Sequence, residues 1–107
     1  MADSADRRAA ERIAVNAGTS CTTAGPVLED YGPGKIRDVS LDGIGIILFK
    51  QVAIGSLLAV NISNPSQKLT KTMLVRVAHV TPVHGGFLVG GTFNEPLTYQ
   101  ELTALVM

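Results

Sequence analysis

The feature that most constrains the fold is a series of short apolar segments separated by turn residues between residues 35 and 93. Segments of this length, ended by turn signals, are typical of β-strands. The dipeptide Asn64-Pro65 and the tripeptide His84-Gly85-Gly86 are such signals. Closely spaced short strands favour a small closed or nearly closed barrel. We predict strands over residues 35–40, 44–49, 57–62, 69–80 and 87–93.

The longest of these segments, residues 69–80, shows the period of two that is expected for a strand with one buried face. Its odd positions include Leu69, Met73, Val75 and Val77. His79 has the same parity, so we expect it on the apolar face near the barrel rim. His84, before two glycines, is expected to be solvated in a hairpin turn.

The first third of the chain has a weaker pattern. Val15 and residues 21–23 suit a first strand, which Gly25-Pro26 would interrupt. Residues 31–34, with the sequence Tyr-Gly-Pro-Gly, predict a turn.

The C-terminal segment changes to a helical pattern. Thr98 and Glu101 have the spacing of a capping box, and Leu97 and Leu102 occupy the positions of a hydrophobic staple. We therefore predict a short helix over residues 98–106. The whole pattern predicts five or six strands in a closed or nearly closed barrel with one C-terminal helix.

Composition limits the classes of function. The 107 residues suffice for one domain, and nine basic residues balance nine acidic ones. This balance, with no Trp and few aromatic residues, argues against a protein that binds nucleic-acid polymers. Between residues 35 and 76 there are six basic and two acidic residues, a mildly positive region that suits a small anion.

Other site classes have little support in the sequence. Two histidines and the single Cys21 do not form a metal-ligand spacing, and no nucleophile elbow surrounds Ser40. We expect no enzyme activity and no metal, and we expect Cys21 to be buried rather than reactive. The chain contains neither a membrane-spanning apolar run nor a signal-peptide pattern, so we expect a cytoplasmic protein with no membrane insertion.

Two short motifs carry the functional prediction. Arg8 and Arg12 form R-x-x-x-R, and Asp38, Ser40 and Gly43 form D-x-S-x-x-G. Guanidinium groups bind phosphate and stack on bases, whereas a carboxylate accepts hydrogen bonds from the N–H edge of guanine. On a strand, Asp38 and Ser40 would present a carboxylate and a hydroxyl on one surface, and Gly43 would leave room for a ligand. The motifs favour a receptor for a small guanine nucleotide with two phosphates.

Each motif also has an ordinary structural explanation. The arginines can lie on a solvated helix face beside Asp6 and Glu11, and Asp, Ser and Gly are common in polar hairpins. Residues 1–12 would form one or two turns of helix at most, so we interpret them as an arm that orders when a ligand binds.

With these motifs in that order, the chain resembles the PilZ domain, a bacterial receptor domain for cyclic di-GMP. The segment Gly90-Gly91-Thr92-Phe93 before the final helix fits the same family pattern. The resemblance implies a mainly β fold, a six-stranded antiparallel β-barrel over residues 13–107 with a C-terminal helix, preceded by the arm 1–12. It also implies ligand-binding roles for six residues: Arg7, Arg8, Arg12, Asp38, Ser40 and Gly43.

Within that resemblance, Arg8 and Arg12 bind the phosphates and guanine edges, with Arg7 as an auxiliary group. Asp38 and Ser40 bind a guanine from the strand side. Cyclic di-GMP is the expected ligand, no cofactor is expected, and the downstream protein partner and the oligomeric state stay open. Two alternatives also stay open: a PilZ-like barrel that serves only as a protein-interaction module, and a barrel that binds single-stranded RNA or DNA.

Overall fold

A computed structural model describes residues 12–25 and 30–107. The predicted arm helix, Arg7 and Arg8 lie outside the described residues. The elements, in chain order, are β1 (Ser20–Ala24), β2 (Asp30–Val39), β3 (Gly43–Leu48), β4 (Leu57–Asn64), a 3-10 turn (Pro65–Gln67), β5 (Leu69–Val83), β6 (Gly86–Phe93) and α1 (Tyr99–Val106).

The six strands form a closed barrel in the order β1-β2-β3-β6-β5-β4. Every neighbouring pair is antiparallel, and the barrel closes where β1 pairs with β4. The prediction of a six-stranded antiparallel barrel with one C-terminal helix is confirmed. Strands β3 to β6 begin and end within three residues of their predicted limits. The first strand is also confirmed, although Val15 lies outside it.

Alternation along the strands places the core inside the barrel. In β4 the side chains of Leu58, Val60 and Ile62 are buried, while those between them are partly exposed. In β5 Met73 and Val75 are buried in the same way. Burying one such aliphatic side chain contributes about 1.5–3 kcal/mol to folding before entropy is counted. The period of two read from the sequence is therefore the period of the core.

The predicted turn at residues 31–34 is wrong, because these residues lie within β2. They pair with β1, for example Cys21 with Gly34 and Thr23 with Gly32. A Cβ at Gly34 would come within 2.6 Å of a methyl group of Ile46, so glycine at this position avoids a steric clash inside the barrel. Long-range pairing with β1 thus overrides the local turn preference.

The prediction for His79 is also wrong, since its side chain is exposed rather than on the apolar face. The register of β5 against β6 shifts between Val77 and His79. A bulge inserts one extra residue and so reverses the alternation beyond it. His84, by contrast, is exposed in the hairpin turn, as predicted, where Gly85 has a φ of 82°.

The predicted capping box at the start of α1 is confirmed. The Glu101 amide donates to Thr98 Oγ1 at 3.1 Å, and the Thr98 amide donates to Glu101 Oε1 at 2.9 Å. Lys71 of β5 donates to Glu101 Oε2 at 2.7 Å, so the helix is also tied to the barrel wall. Hydrogen bonds from Lys71 and then from the Thr98 backbone lower the pKa of Glu101 below its ordinary value. The staple residues Leu97 and Leu102 are buried.

A polar cluster around the fully buried Asn64 fixes the segment before β1 to the end of α1. Asn64 has no exposed surface, and its Nδ2 lies 2.9 Å from Asn16 Oδ1, 2.9 Å from Thr19 Oγ1 and 3.2 Å from the Ala104 carbonyl. The backbone amide of Asn16 and the hydroxyl of Thr19 both donate to the Leu105 carbonyl, at 2.8 and 3.0 Å. We call these five residues the Asn64 cluster.

Candidate ligand-binding site

A single β-bridge brings the first predicted motif to the second. The Ile13 amide donates to the Val39 carbonyl at 2.7 Å, and the Val39 amide donates to the Ile13 carbonyl at 2.9 Å. Residue 12 therefore lies beside the end of β2, where Arg12 Nη1 forms an ion pair with Asp38 Oδ1 at 3.0 Å. The structure thus brings together two predicted site residues that are 26 positions apart.

The ion pair lies at the surface. The side chains of Arg12 and Asp38 are 36% and 26% exposed. Exposed pairs of this kind contribute only about 0–1 kcal/mol to stability. Breaking this ion pair therefore costs the fold little stability, so both groups could take other partners.

Two glycines of β3 form a bare backbone surface beneath this ion pair. A Cβ at Gly43 would come within 3.1 Å of Arg12 Nη2 and 2.7 Å of the Gly91 carbonyl oxygen. A Cβ at Gly45 would come within 2.7 Å of Asp38 Oδ1. The missing side chains are what allow the guanidinium and the carboxylate to lie close to the backbone of β3.

Gly45 was not among the residues predicted from the sequence. The signal for it was present, because Gly43 and Gly45 are two positions apart in one strand and so share a face. Ile44 and Ile46, which alternate with them, are fully or almost fully buried, so the glycines face outward.

Ser40 has a structural position in the turn between β2 and β3. It has no exposed surface, and its Oγ accepts a hydrogen bond from the Gly43 amide at 3.1 Å and donates to Asp42 Oδ1 at 3.1 Å. The Ser40 amide also donates to the Gly43 carbonyl at 2.9 Å. The expected surface carrying both the Asp38 carboxylate and the Ser40 hydroxyl therefore contains only the carboxylate. Ser40 and Gly43 fix the turn that positions β3 beside Asp38.

A second guanidinium, which sequence reasoning missed, approaches Asp38 from the other side. The register of β2 against β3 shifts between Ile36 and Asp38, which leaves Arg37 as the extra residue of a bulge. Arg37 Nε lies 3.9 Å from Asp38 Oδ2. One carboxylate between two arginines leaves a net positive charge, which favours an anionic ligand.

Cys21 and the histidines do not form a competing site. Cys21 is 4% exposed, its Sγ lies 3.4 Å from the Gly34 carbonyl, and burial raises the pKa of its thiol to about 11. The expectation that Cys21 is buried is confirmed. Among residues 12–25 and 30–107 no group of three or more His, Cys, Asp or Glu side chains is placed to hold a metal ion. Nor does any helix in this part of the chain have the length and apolarity to cross a membrane.

Comparison with known protein families identifies the family of the chain. The family model of the PilZ domain matches residues 6–107, which include every residue of both motifs. The chain therefore belongs to the PilZ domain family, whose members are receptor domains for cyclic di-GMP. Searches of the curated proteins and of the solved structures found no match.

Proposed function

We propose that this PilZ domain binds cyclic di-GMP on the outer face of the barrel, over Gly43 and Gly45. The observation that carries the proposal is the exposed Arg12–Asp38 ion pair above this bare surface. A guanidinium, which suits a phosphate, and a carboxylate, which suits the N–H edge of a guanine, lie side by side in this pair and support the proposal that a flat ligand reaches both. Family membership supports the choice of ligand.

Binding would proceed by exchange of partners. A ligand phosphate accepts charge-assisted hydrogen bonds from the Arg12 guanidinium in place of the Asp38 carboxylate, and the exposed ion pair that is broken contributes little to stability. The released carboxylate of Asp38 then accepts hydrogen bonds from the N–H edge of a guanine. Arg7 and Arg8, in the segment preceding Arg12, supply further phosphate and base contacts.

The consequence of this exchange is a change at the N-terminal arm. Ligand contacts to Arg7, Arg8 and Arg12 would hold residues 1–12 against the barrel and thereby create or cover a surface for a partner protein. The domain is thus proposed to act as a bacterial signalling receptor rather than as an enzyme. The contacts must exceed the cost of ordering the arm, about 1–2 kcal/mol per backbone residue fixed.

Calorimetric titration of the domain with cyclic di-GMP, with GTP as the control ligand, tests the proposal. We expect saturable binding of cyclic di-GMP only, and a loss of affinity of about tenfold or more in Asp38→Ala and in Arg8→Ala, the effect of one good contact. Matched controls are Glu95→Ala and Lys50→Ala, which remove one exposed charge of the same sign elsewhere.

The control variants should bind like the wild type. Unchanged affinity in both Asp38→Ala and Arg8→Ala would overturn the proposed site. Absence of binding by the wild type would overturn the proposed function and favour the alternative, a PilZ barrel that acts as a protein-interaction module.

A further inference from the structure

The bare surface beside Asp38 continues across two more strands. Asp38 of β2 pairs with Gly45 of β3, Gly45 pairs with Gly90 of β6, and Gly90 pairs with His79 of β5. These four residues form one row across the outer face. The row spans three inter-strand spacings, about 14 Å. It has a carboxylate at one end, an imidazole at the other and two glycines between them.

The imidazole of His79 lies over Gly90. A Cβ at Gly90 would overlap the ring, whose Nδ1 would be 2.9 Å away. The bulge after Val77 is what turns this side chain outward. Among the described residues the ring makes no hydrogen bond and no ion pair, so neither nitrogen is committed to a partner. The ring is exposed and faces the same surface as Arg12.

Three glycines on one patch of sheet require an explanation. Glycine within a strand costs about 0.5–1 kcal/mol relative to alanine, and it often marks a place where another group approaches the backbone closely. At Gly43 and Gly45 the approaching groups are Arg12 and Asp38, and at Gly90 it is His79. Polar side chains therefore lie over the bare backbone from two opposite sides.

We propose that His79 is a further ligand-contacting residue and forms the wall of the site opposite Arg12 and Asp38. Its imidazole packs against the face of one guanine of the cyclic dinucleotide, whose other guanine and phosphates are held at the Arg12 end. The proposal rests on the proposed function, because it assigns a role toward the same ligand. It follows from the row of paired residues and from the ring over Gly90, and neither motif includes His79.

The chemistry suits a planar base. An imidazole offers a flat face for stacking, and its N–H can also donate to a phosphate or carbonyl oxygen. Gly43, Gly45 and Gly90 are buried beneath Arg12, Asp38 and His79, so a base on this face contacts those side chains, and the His79 ring supplies a flat surface at one end of the row. The Asp38 carboxylate lies over Gly45 and the His79 ring over Gly90, and these two glycines are one inter-strand spacing, about 5 Å, apart, so the gap between the two walls suits a single planar ring.

The test compares the two histidines of the chain by calorimetry with cyclic di-GMP. We expect His79→Ala to weaken binding about tenfold, within the range measured when a side chain that stacks on a base is truncated. His79→Phe keeps a flat ring and should stay within about threefold of the wild type. The matched control His84→Ala removes the other exposed imidazole, in the β5–β6 turn, and should leave affinity unchanged.

A second readout uses the wild-type protein and needs no variant. With two histidines in the sequence, the imidazole proton signals in an NMR titration resolve into two sets. Ring currents from a stacked guanine should shift the His79 set and leave the His84 set in place. Equal affinity in His79→Ala together with an unshifted His79 set would overturn this inference and leave the proposed function standing. A wild-type domain that binds no cyclic di-GMP would overturn both.

Discussion

The two ends of the segment from Arg12 to Thr19 are held by contacts of different kinds. At Asn16 and Thr19 the segment enters the Asn64 cluster, which is built around the fully buried Asn64 side chain and links the segment to the end of α1. At Arg12 the side chain is held by one partly exposed ion pair. Buried hydrogen bonds are costly to leave unmade, whereas exposed ion pairs contribute little. The difference separates a fixed anchor from a contact that a ligand can exchange.

The largest expected effect is at the anchor. Asn64→Ala empties a fully buried side-chain position and removes the hydrogen bonds that its amide donates to Asn16, Thr19 and Ala104, so we expect a loss of about 2–3 kcal/mol in the free energy of unfolding. The matched control is Asn61→Ala on the same strand, where the amide bonds Thr72 at 3.0 Å near the surface.

Urea denaturation measures both variants. The control should lose less than about 1 kcal/mol, as is usual for surface substitutions. Equal losses in the two variants would show that the Asn64 cluster is no firmer than an ordinary surface contact, and the contrast between the two ends would disappear.

A smaller effect on stability is expected at the exchangeable end. Arg12→Ala should change the free energy of unfolding by less than about 1 kcal/mol, since the pair that it breaks is partly exposed. The same denaturation experiment, repeated at high salt, should show the wild type approaching the variant because salt screens the pair. A loss as large as that of Asn64→Ala would mean that Arg12 is a structural residue.

The smallest expected effect concerns the attachment of α1 to the barrel. The end of this helix supplies Ala104 and Leu105 to the Asn64 cluster. The pKa of Glu101 is lowered in the fold, mainly by its hydrogen bond with Lys71. The corresponding stability is present above the ordinary pKa of the carboxyl and is lost as the pH falls through the lowered value. Glu101→Gln keeps a capping-box acceptor but has no carboxyl to titrate. We therefore expect the melting temperature of this variant to depend slightly less on pH in the acid range than that of the wild type.

Thermal melts between about pH 7 and about pH 3 measure this difference. The gap between wild type and variant should narrow at the acid end, where the wild-type carboxyl is also neutral. A gap that stays constant across the range would exclude the ion pair with Lys71 as its source.

Local signals in the sequence predicted local structure well. The capping box needs only Thr98 and Glu101, three residues apart, and the β5–β6 turn needs only its glycines. The alternation of residues 69–77 in β5 sufficed to identify the buried face of that strand up to its bulge. In each case the interaction that fixes the structure lies within a few residues of the pattern that predicts it.

The errors arise where distant residues decide the structure. The glycines and the proline at residues 31–34 predicted a turn, but pairing with β1 makes them part of a strand. The bulge before His79 depends on the register of β5 against β6 and has no local signature. The bond between Asn64 and Asn16 spans 48 residues. Of the candidate site, the motifs predicted Arg12, Asp38 and Gly43, and the period of two in β3 could have added Gly45. Arg37 and the proposed contact His79 became visible only through the bulges in strand pairing.

The bridge between Ile13 and Val39 has one more consequence, which concerns local concentration. Arg8 is five residues before this fixed point, so an extended chain keeps it within about 17 Å of Ile13. Under the proposed function, a ligand phosphate bound by Arg12 would meet Arg8 as a tethered group, at an effective concentration of the order of millimolar. The second arginine contact is then intramolecular, and a weak first contact is enough to recruit it.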